Sequence, residues 1–361
     1  MRKPKIAVVG YGVIGRRVAD AVQGQEDMEL IGVAGRPTSF SLRDAALRRL
    51  PVYVTSPPKI GDVADRFCPI KGTLEELMEL VDVVLDCTPS GVPEKHLALY
   101  RRRQDVVTIV QGGEDHEFGG VSFNSFANYG EVLGRRAIRV ISCSSTGMTR
   151  FLYTLDGIFG VRNAFVTLVR RAADPGKRSK TPINSLVPVM GESHHAPDVK
   201  TVLPKLDLYS MSADVNTTLA HVICFHVDLA RKTSGEEIIR ALSQMPRIIV
   251  GEGLGSTADL AETFSGPGRM RRDRPEIYVW TEGIDLRGQT LHAAISVHME
   301  SITIPETIDC IRAALGMEKN KWRSIERTDR AMGIAKRPEC YHDRLNAPQA
   351  DVPSGRSSYL T

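Results

Sequence analysis

Near the start of the chain, Gly10-Tyr11-Gly12-Val13-Ile14-Gly15 separates an apolar run, Lys5 to Val9, from a helical pattern, Arg16 to Val22. Three glycines at this spacing, between a strand and a helix, leave few folds open. Gly10 permits a tight turn, Gly12 lets the backbone approach a pyrophosphate, and Gly15 lets helix and strand pack closely. A phosphate there would rest on the N–H groups of the helix N-terminus. For the glycines alone, a purely structural turn is the alternative. The context favours a dinucleotide site. Strand-like runs at Met28 to Val33, Val52 to Val54, Val81 to Cys87 and Val106 to Gln111 alternate with helix-like runs at Leu74 to Leu80 and Pro93 to Arg102. Such alternation predicts an α/β fold with a Rossmann-like, doubly wound parallel sheet.

The second half has a different texture. Ala164 to Arg171, Thr218 to Asp228, Arg247 to Gly251, Glu276 to Glu282 and Leu291 to His298 read as longer strands. Helices at Gly235 to Gln244, Thr257 to Phe264 and Pro305 to Leu315 would cover one face. We expect an α+β domain with a mainly antiparallel sheet. The expected boundaries are a dinucleotide-binding domain over 1–142, a catalytic domain over 143–302, and a C-terminal helix at about 303–336 that rejoins the first domain. Residues 337–361, rich in Pro, Ser, Asn and charge, read as a disordered tail. A length of 361 residues suits two domains.

Bulk properties exclude several classes. The net charge of +4, on 47 basic and 43 acidic residues, gives no reason to expect a nucleic-acid partner. The basic clusters Arg101 to Arg103 and Arg269 to Arg274 read as solvated faces. The cysteines at 68, 87, 143, 224, 310 and 340 contain no C-x-x-C pair, which argues against a disulfide framework or a zinc site and for a reducing, cytoplasmic setting. No signal-peptide pattern opens the chain. No apolar run reaches the roughly 18 residues of a membrane span.

The segment Ser142-Cys143-Ser144-Ser145-Thr146-Gly147 lies between a strand pattern, Ala137 to Ile141, and a helix pattern, Met148 to Phe159. A cysteine at that junction meets the free N–H groups and positive dipole of a helix start. These favour the thiolate, which is the nucleophile, and offer donors to an oxyanion. A small buried cysteine in a tight turn is the plainer alternative. The second strand ends in Gly35-Arg36-Pro37. No Asp or Glu stands there for a ribose hydroxyl, so Arg36 is a candidate partner for a 2′-phosphate or else a surface arginine.

Several ordered segments together resemble the archaeal-type (type II) glyceraldehyde-3-phosphate dehydrogenases, from Lys5 to about Ala335. They are GYGVIGRRVADAV, QGGEDHE, VSFNSFANY, RVISCSSTG, VRRAADP, PINSLVP, SHHAPDVKTVLP, TTLAH and VHMES. The resemblance implies a two-domain subunit in a homotetramer, use of NAD or NADP, and a role in glycolysis or gluconeogenesis. The implied reaction is oxidative phosphorylation of glyceraldehyde 3-phosphate to 1,3-bisphosphoglycerate, with the phosphorylated aldehyde and inorganic phosphate as small-molecule partners. It implies that Val13 and Ile14 line the cofactor phosphates, with Gly113 and Arg171 further along. Cys143 takes the place of the nucleophile, flanked by Ser142 and Ser144 at the substrate. His194 and His195 fall at substrate-binding positions, and His221 matches the base. Taken without the resemblance, adjacent histidines in a polar loop read as solvent-exposed, and a lone histidine on an apolar strand reads as a core residue.

Three positions depart from the family pattern. Ser144 stands where Asn is usual, Ile223 where a second His is usual, and Met299 where a Gln would contact the nicotinamide amide. Each exchange removes hydrogen-bonding capacity. They cluster at the expected catalytic centre, so a dehydrogenase of another aldehyde or semialdehyde is the second reading. A cofactor-binding regulator with decayed catalysis is the third.

Overall fold

Alternation within one strand organises the first half. In β1 (Lys5–Val9), Ile6 and Val8 belong to one buried cluster while Ala7 and Val9 belong to another. Successive strand side chains point to opposite faces, so this strand is covered on both. The computed structural model describes residues 2–111, 113–172, 181–266 and 269–334. In it, β1 is joined by β2 (Glu29–Gly35), β3 (Val52–Val54), β4 (Ile70–Thr73), β5 (Val83–Asp86), β6 (Val107–Val110), β7 (Ser122–Phe123) and β8 (Ala137–Val140). The order is β4-β3-β2-β1-β5-β6-β8-β7, with every neighbouring pair parallel. One face carries Val18 and Val22 of the helix Val13–Gln23. The other carries Leu74, Leu77 and Tyr100 from the helices Leu74–Met78 and Pro93–Arg102. The chain direction reverses at β1, where open α/β sheets bind ligands beyond their carboxyl ends. The glycine turn leaves β1 at that edge.

The second sheet comprises β9 (Val161–Arg171), β10 (Leu186–Val189), β11 (Leu208–Val215), β12 (His221–Leu229), β13 (Ile248–Gly251), β14 (Ile277–Trp280), β15 (Asp285–Arg287) and β16 (Thr290–Val297). Its order is β10-β11-β9-β12-β16-β14-β13, with β15 on β16. The β9–β11 and β13–β14 pairs are parallel and the others antiparallel. The sheet is therefore mixed. β11 escaped the sequence reading because its inward positions include Ser210 and Ser212, which blur the apolar alternation.

Helices cover one face of this sheet. Met148, Phe151, Leu152 and Leu155 of the helix Cys143–Phe159, with Ile238 and Leu242 of the helix Gly235–Gln244, share a core with Ile223, Phe225 and Ile295. The opposite face is open, and on it Phe165 and Tyr209 stack at 5.7 Å beside exposed Met211.

The expected C-terminal helix is two helices, Ile304–Ala314 and Lys321–Met332, broken near Gly316 at φ 64°. Ile304, Ile308 and Ile311 join the first-sheet core. The expected tail over 337–361 lies outside the described residues. A buried ionic cluster ties the two halves together behind the second sheet. Arg150 pairs with Glu306 at 2.7 Å, and Arg247 pairs with Asp309 and with Asp329, each at 2.7 Å. Among the described residues, no helix is long and apolar enough to cross a membrane.

Candidate active site

β12 turns alternate side chains inward: His221, Ile223, Phe225 and Val227 are buried, while Cys224 and His226 are exposed. The helix Cys143–Phe159 lies on this inward row, with the Phe151 and Phe225 rings 4.5 Å apart. Gly147 allows the close approach, because a Cβ there would lie 2.5 Å from Val297 Cγ2. The first residue of the helix thereby meets the first residue of the strand. Cys143 Sγ is 3.6 Å from His221 Nε2. Ile223, two residues on, is fully buried in the core and two strand positions from the sulfur's partner.

The helix begins at Cys143, five residues before its apolar periodicity starts at Met148. Ser142 is its N-cap: its Oγ accepts the Ser145 N–H at 3.4 Å. The Ser142 N–H donates to Asp198 Oδ2 at 3.2 Å, and Asp198 pairs with buried Arg139 at 2.6 Å. Asp198 lies in the helix His195–Lys200, so it fastens the His194-His195 loop to the nucleophile's cap. Sequence reasoning missed it, although it stands three residues beyond the paired histidines.

Electrostatics corrects one expectation. Burial raises the Cys143 thiol above its ordinary value; the Ser144 main-chain N–H, Arg170, Arg171 and the Ser144 hydroxyl oppose this without overcoming it. The helix start alone does not make an acidic thiol. Ser144, the departure from the family's Asn, is buried and hydrogen-bonded to the sulfur.

The orientation of His221 is set by its neighbour strand. The Arg171 main-chain N–H donates to His221 Nδ1 at 3.0 Å. A peptide N–H can only donate, so Nδ1 accepts and the neutral ring carries its proton on Nε2, facing Cys143. Arg171 itself is buried, its guanidinium 2.6 Å from Glu300 Oε1.

The paired histidines divide. His194 is exposed and His195 buried, with ring centroids 4.0 Å apart. Burial, then His194, Arg170 and His221, push His195 down from 6.5 to about 2, and burial with Arg170 lowers His194. His195 is neutral at pH 7. The charge of Arg170, a partly exposed residue 3.7 Å from Asp214, reaches Cys143, His194 and His195 alike.

A cleft of about 520 Å³ opens between the halves, lined by Gly12 and Val13 on one side and Thr218, Leu219, His298 and Glu300 on the other. Glu300 leads through Arg171 and His221 to Cys143. The glycine turn fits a dinucleotide. Gly10 has φ 84°, and a Cβ on Gly15 would lie 2.1 Å from the Gly10 oxygen, whereas a Cβ on Gly12 would meet nothing within 4 Å and project into open space. No side chain caps the helix Val13–Gln23, and its first turn holds no acid. These are the requirements of a phosphate cradle.

The other anticipated residues are more scattered. Ile14 packs on the first core while Val13 lines the cleft. Arg36 is exposed at the end of β2. Gly113 is exposed at the same sheet edge, its oxygen accepting from Ser90 Oγ at 2.5 Å. Met299 is half-buried between the cleft-lining His298 and Glu300. Neither of those two residues was singled out from sequence, although both flank Met299 in VHMES.

A family model described as the glyceraldehyde 3-phosphate dehydrogenase C-terminal domain matches residues 142–262. The chain is 42% identical over 335 residues to a glyceraldehyde-3-phosphate dehydrogenase of Methanobrevibacter smithii, covering 91% of this chain and 99% of that protein. It is 41% identical over 337 residues to one of Pyrobaculum calidifontis, covering 91% and 97%. The solved structure of aspartate semialdehyde dehydrogenase II from Vibrio cholerae shares the fold at a TM-score of 0.62 and 13% identity, covering 86% of this chain and 98% of that one. With two relatives above 40% identity across nine-tenths of its length, the chain belongs to the glyceraldehyde-3-phosphate dehydrogenase family.

Proposed function

We propose that the protein oxidises glyceraldehyde 3-phosphate to 1,3-bisphosphoglycerate through a thioester on Cys143. The observation that carries this reading is the 3.6 Å contact between Cys143 Sγ and a His221 Nε2 whose proton faces it. The Cys143 thiol first gives its proton to solvent; the thiolate then attacks the aldehyde carbon, a C–S bond forms as the carbonyl π bond breaks, and the carbonyl oxygen becomes an alkoxide. His221 Nε2–H and the Ser144 N–H are the donors available to that oxygen. His221 then acts as an oxyanion donor, a sharper role than the proton-accepting base expected from sequence. A bound nicotinamide supplies the hydride acceptor. The carbon that has lost hydride is a thioester. A phosphate oxygen attacks it, the C–S bond breaks, and Cys143 is released as thiolate with the acyl phosphate as product.

Arg170 and His194 hold the substrate phosphate in this account, and the Gly10–Gly15 turn holds the cofactor phosphates. Arg36, at a strand end whose sequence Val33 to Pro37 holds no acid, accommodates the 2′-phosphate, so NAD and NADP both serve. The first domain is 1–142 with the two C-terminal helices, and the catalytic domain is 143–302. Subunits assemble as a homotetramer through the open face around Phe165, Tyr209 and Met211. A large exposed apolar patch favours such a contact, and Phe165→Asp is expected to shift the sedimenting species to smaller size.

The test is NAD(P)H formation with glyceraldehyde 3-phosphate and a panel of semialdehydes, with and without phosphate, for the protein and Cys143→Ala. Phosphate-dependent turnover that Cys143→Ala abolishes supports the reading. Turnover only on another aldehyde would replace the substrate, and dinucleotide binding with no turnover would replace the function with regulation.

A further inference from the structure

We propose that Arg272, carried by the second half of the chain, binds the diphosphate of the dinucleotide and clamps it against the glycine turn of the first half. The inference rests on the dinucleotide reading above and adds to it a residue outside the glycine turn.

Residues 269–273 cross the mouth of the cleft. Arg271 pairs with Asp20 at 2.7 Å, and Asp273 pairs with Arg17 at 2.7 Å. Asp20 and Arg17 both lie on the helix Val13–Gln23. The segment is therefore fastened at two points to the helix whose N-terminus forms the cradle. Arg271 and Arg272 both have φ 59°. Side chains other than glycine rarely occupy that left-handed region, and surrounding contacts must hold them there.

The flanking arginines are engaged. Arg269 forms a two-pronged pair with Glu276 at 2.7 and 2.6 Å, and Arg274 donates to Ser296 Oγ at 2.7 Å. Arg272 differs. It is exposed, it lines the cleft with Gly12 and Val13, and among the described residues it has no hydrogen-bond or ion-pair partner. Its backbone is held between two anchored neighbours, and it shares the cleft with an uncapped helix start that has no acid in its first turn. Helix N–H groups and an arginine fork together recognise a phosphate or diphosphate. The basic run that reads as a solvated face in the sequence is thus three anchored arginines and one left for a ligand.

The diphosphate is favoured over the 2′-phosphate because Arg272 shares the cleft with Gly12, whose missing side chain leaves the open space. The 2′-phosphate candidate, Arg36, lies at the end of another strand.

The test measures dissociation constants for NAD, NADP and ADP-ribose by calorimetry, without aldehyde, on the full chain. ADP-ribose carries the diphosphate and lacks nicotinamide. Arg272→Gln is expected to weaken all three by about tenfold, the effect of losing one charge-assisted contact. Arg272→Lys should restore part of the loss, and the salt dependence of binding should flatten in Arg272→Gln. Equal affinities in the protein and Arg272→Gln would overturn the clamp while leaving the dinucleotide reading intact, and so would a loss confined to NADP. A native chain that binds none of the three would overturn both. Unchanged thermal unfolding of Arg272→Gln separates a binding effect from a folding one.

Discussion

In the proposed reading, the two halves meet their ligands by different means. In the first, the contacts are main-chain groups at the carboxyl edge of a parallel sheet, freed by glycines at 10, 12 and 15. In the second, they are side chains delivered by tertiary register, with Cys143 opening a helix and His221 opening a strand. A backbone cradle is encoded locally, within six residues. The Cys143–His221 contact spans 78 positions and exists only because the helix settles on the inward row of β12. The same contrast holds for the sheets. The first is covered on both faces, and the second carries helices on one face only.

The comparison can be broken at the side-chain end first. Truncating His221 to Ala should lower kcat by about 10²- to 10⁴-fold, the range of one positioned proton or hydrogen-bond group. Dinucleotide affinity should hold, because His221 belongs neither to the glycine turn nor to the Arg272 clamp. Equal losses of affinity and turnover would mean that the two sites are not separable.

The joint between the halves comes next. Glu306 is fully buried between Arg150 and Arg247. Glu306→Gln leaves buried guanidinium charge uncompensated and should cost about 3–5 kcal/mol of stability in urea unfolding. A cost under about 1 kcal/mol would show that the cluster is not what holds the halves together.

The glycines sharpen the backbone side of the comparison. Gly15→Ala places a Cβ 2.1 Å from the Gly10 oxygen and should destabilise the fold by about 1–3 kcal/mol. Gly12→Ala meets open space, so unfolding should move by under about 0.5 kcal/mol while dinucleotide binding weakens. If Gly12→Ala binds normally, the turn is structural only.

A further effect is in pH. His195 falls from 6.5 to about 2 on folding, and His298, through burial and then Arg274, Arg17, Arg171 and His221, falls to about 3. Below pH 6.5 the unfolded chain binds protons that the folded chain refuses, so stability falls as pH falls. From pH 7 to pH 5, His195 alone should contribute about 2 kcal/mol of that loss. His195→Asn should flatten the slope; an unchanged slope would place the titration elsewhere.

Legibility in the sequence follows the same division. The glycine turn and most first-sheet strands stand out because their signals are local and apolar. β11 did not, since serines at 210 and 212 occupy its inward positions. Cys143 and His221 were readable as candidates, but their contact, the Nε2 proton and the raised thiol depend on burial and on a peptide N–H from β9. Asp198, although it lies within SHHAPDVKTVLP, and Arg272, within the basic run, have no signal that singles them out. Their meaning comes from what stands opposite them in space.

The most direct test is mass spectrometry of protein quenched after mixing with NAD(P) and glyceraldehyde 3-phosphate in the absence of phosphate. The account predicts a phosphoglyceroyl thioester on the peptide carrying Cys143, discharged on adding phosphate. Turnover with no adduct, or an adduct on another residue, would contradict it.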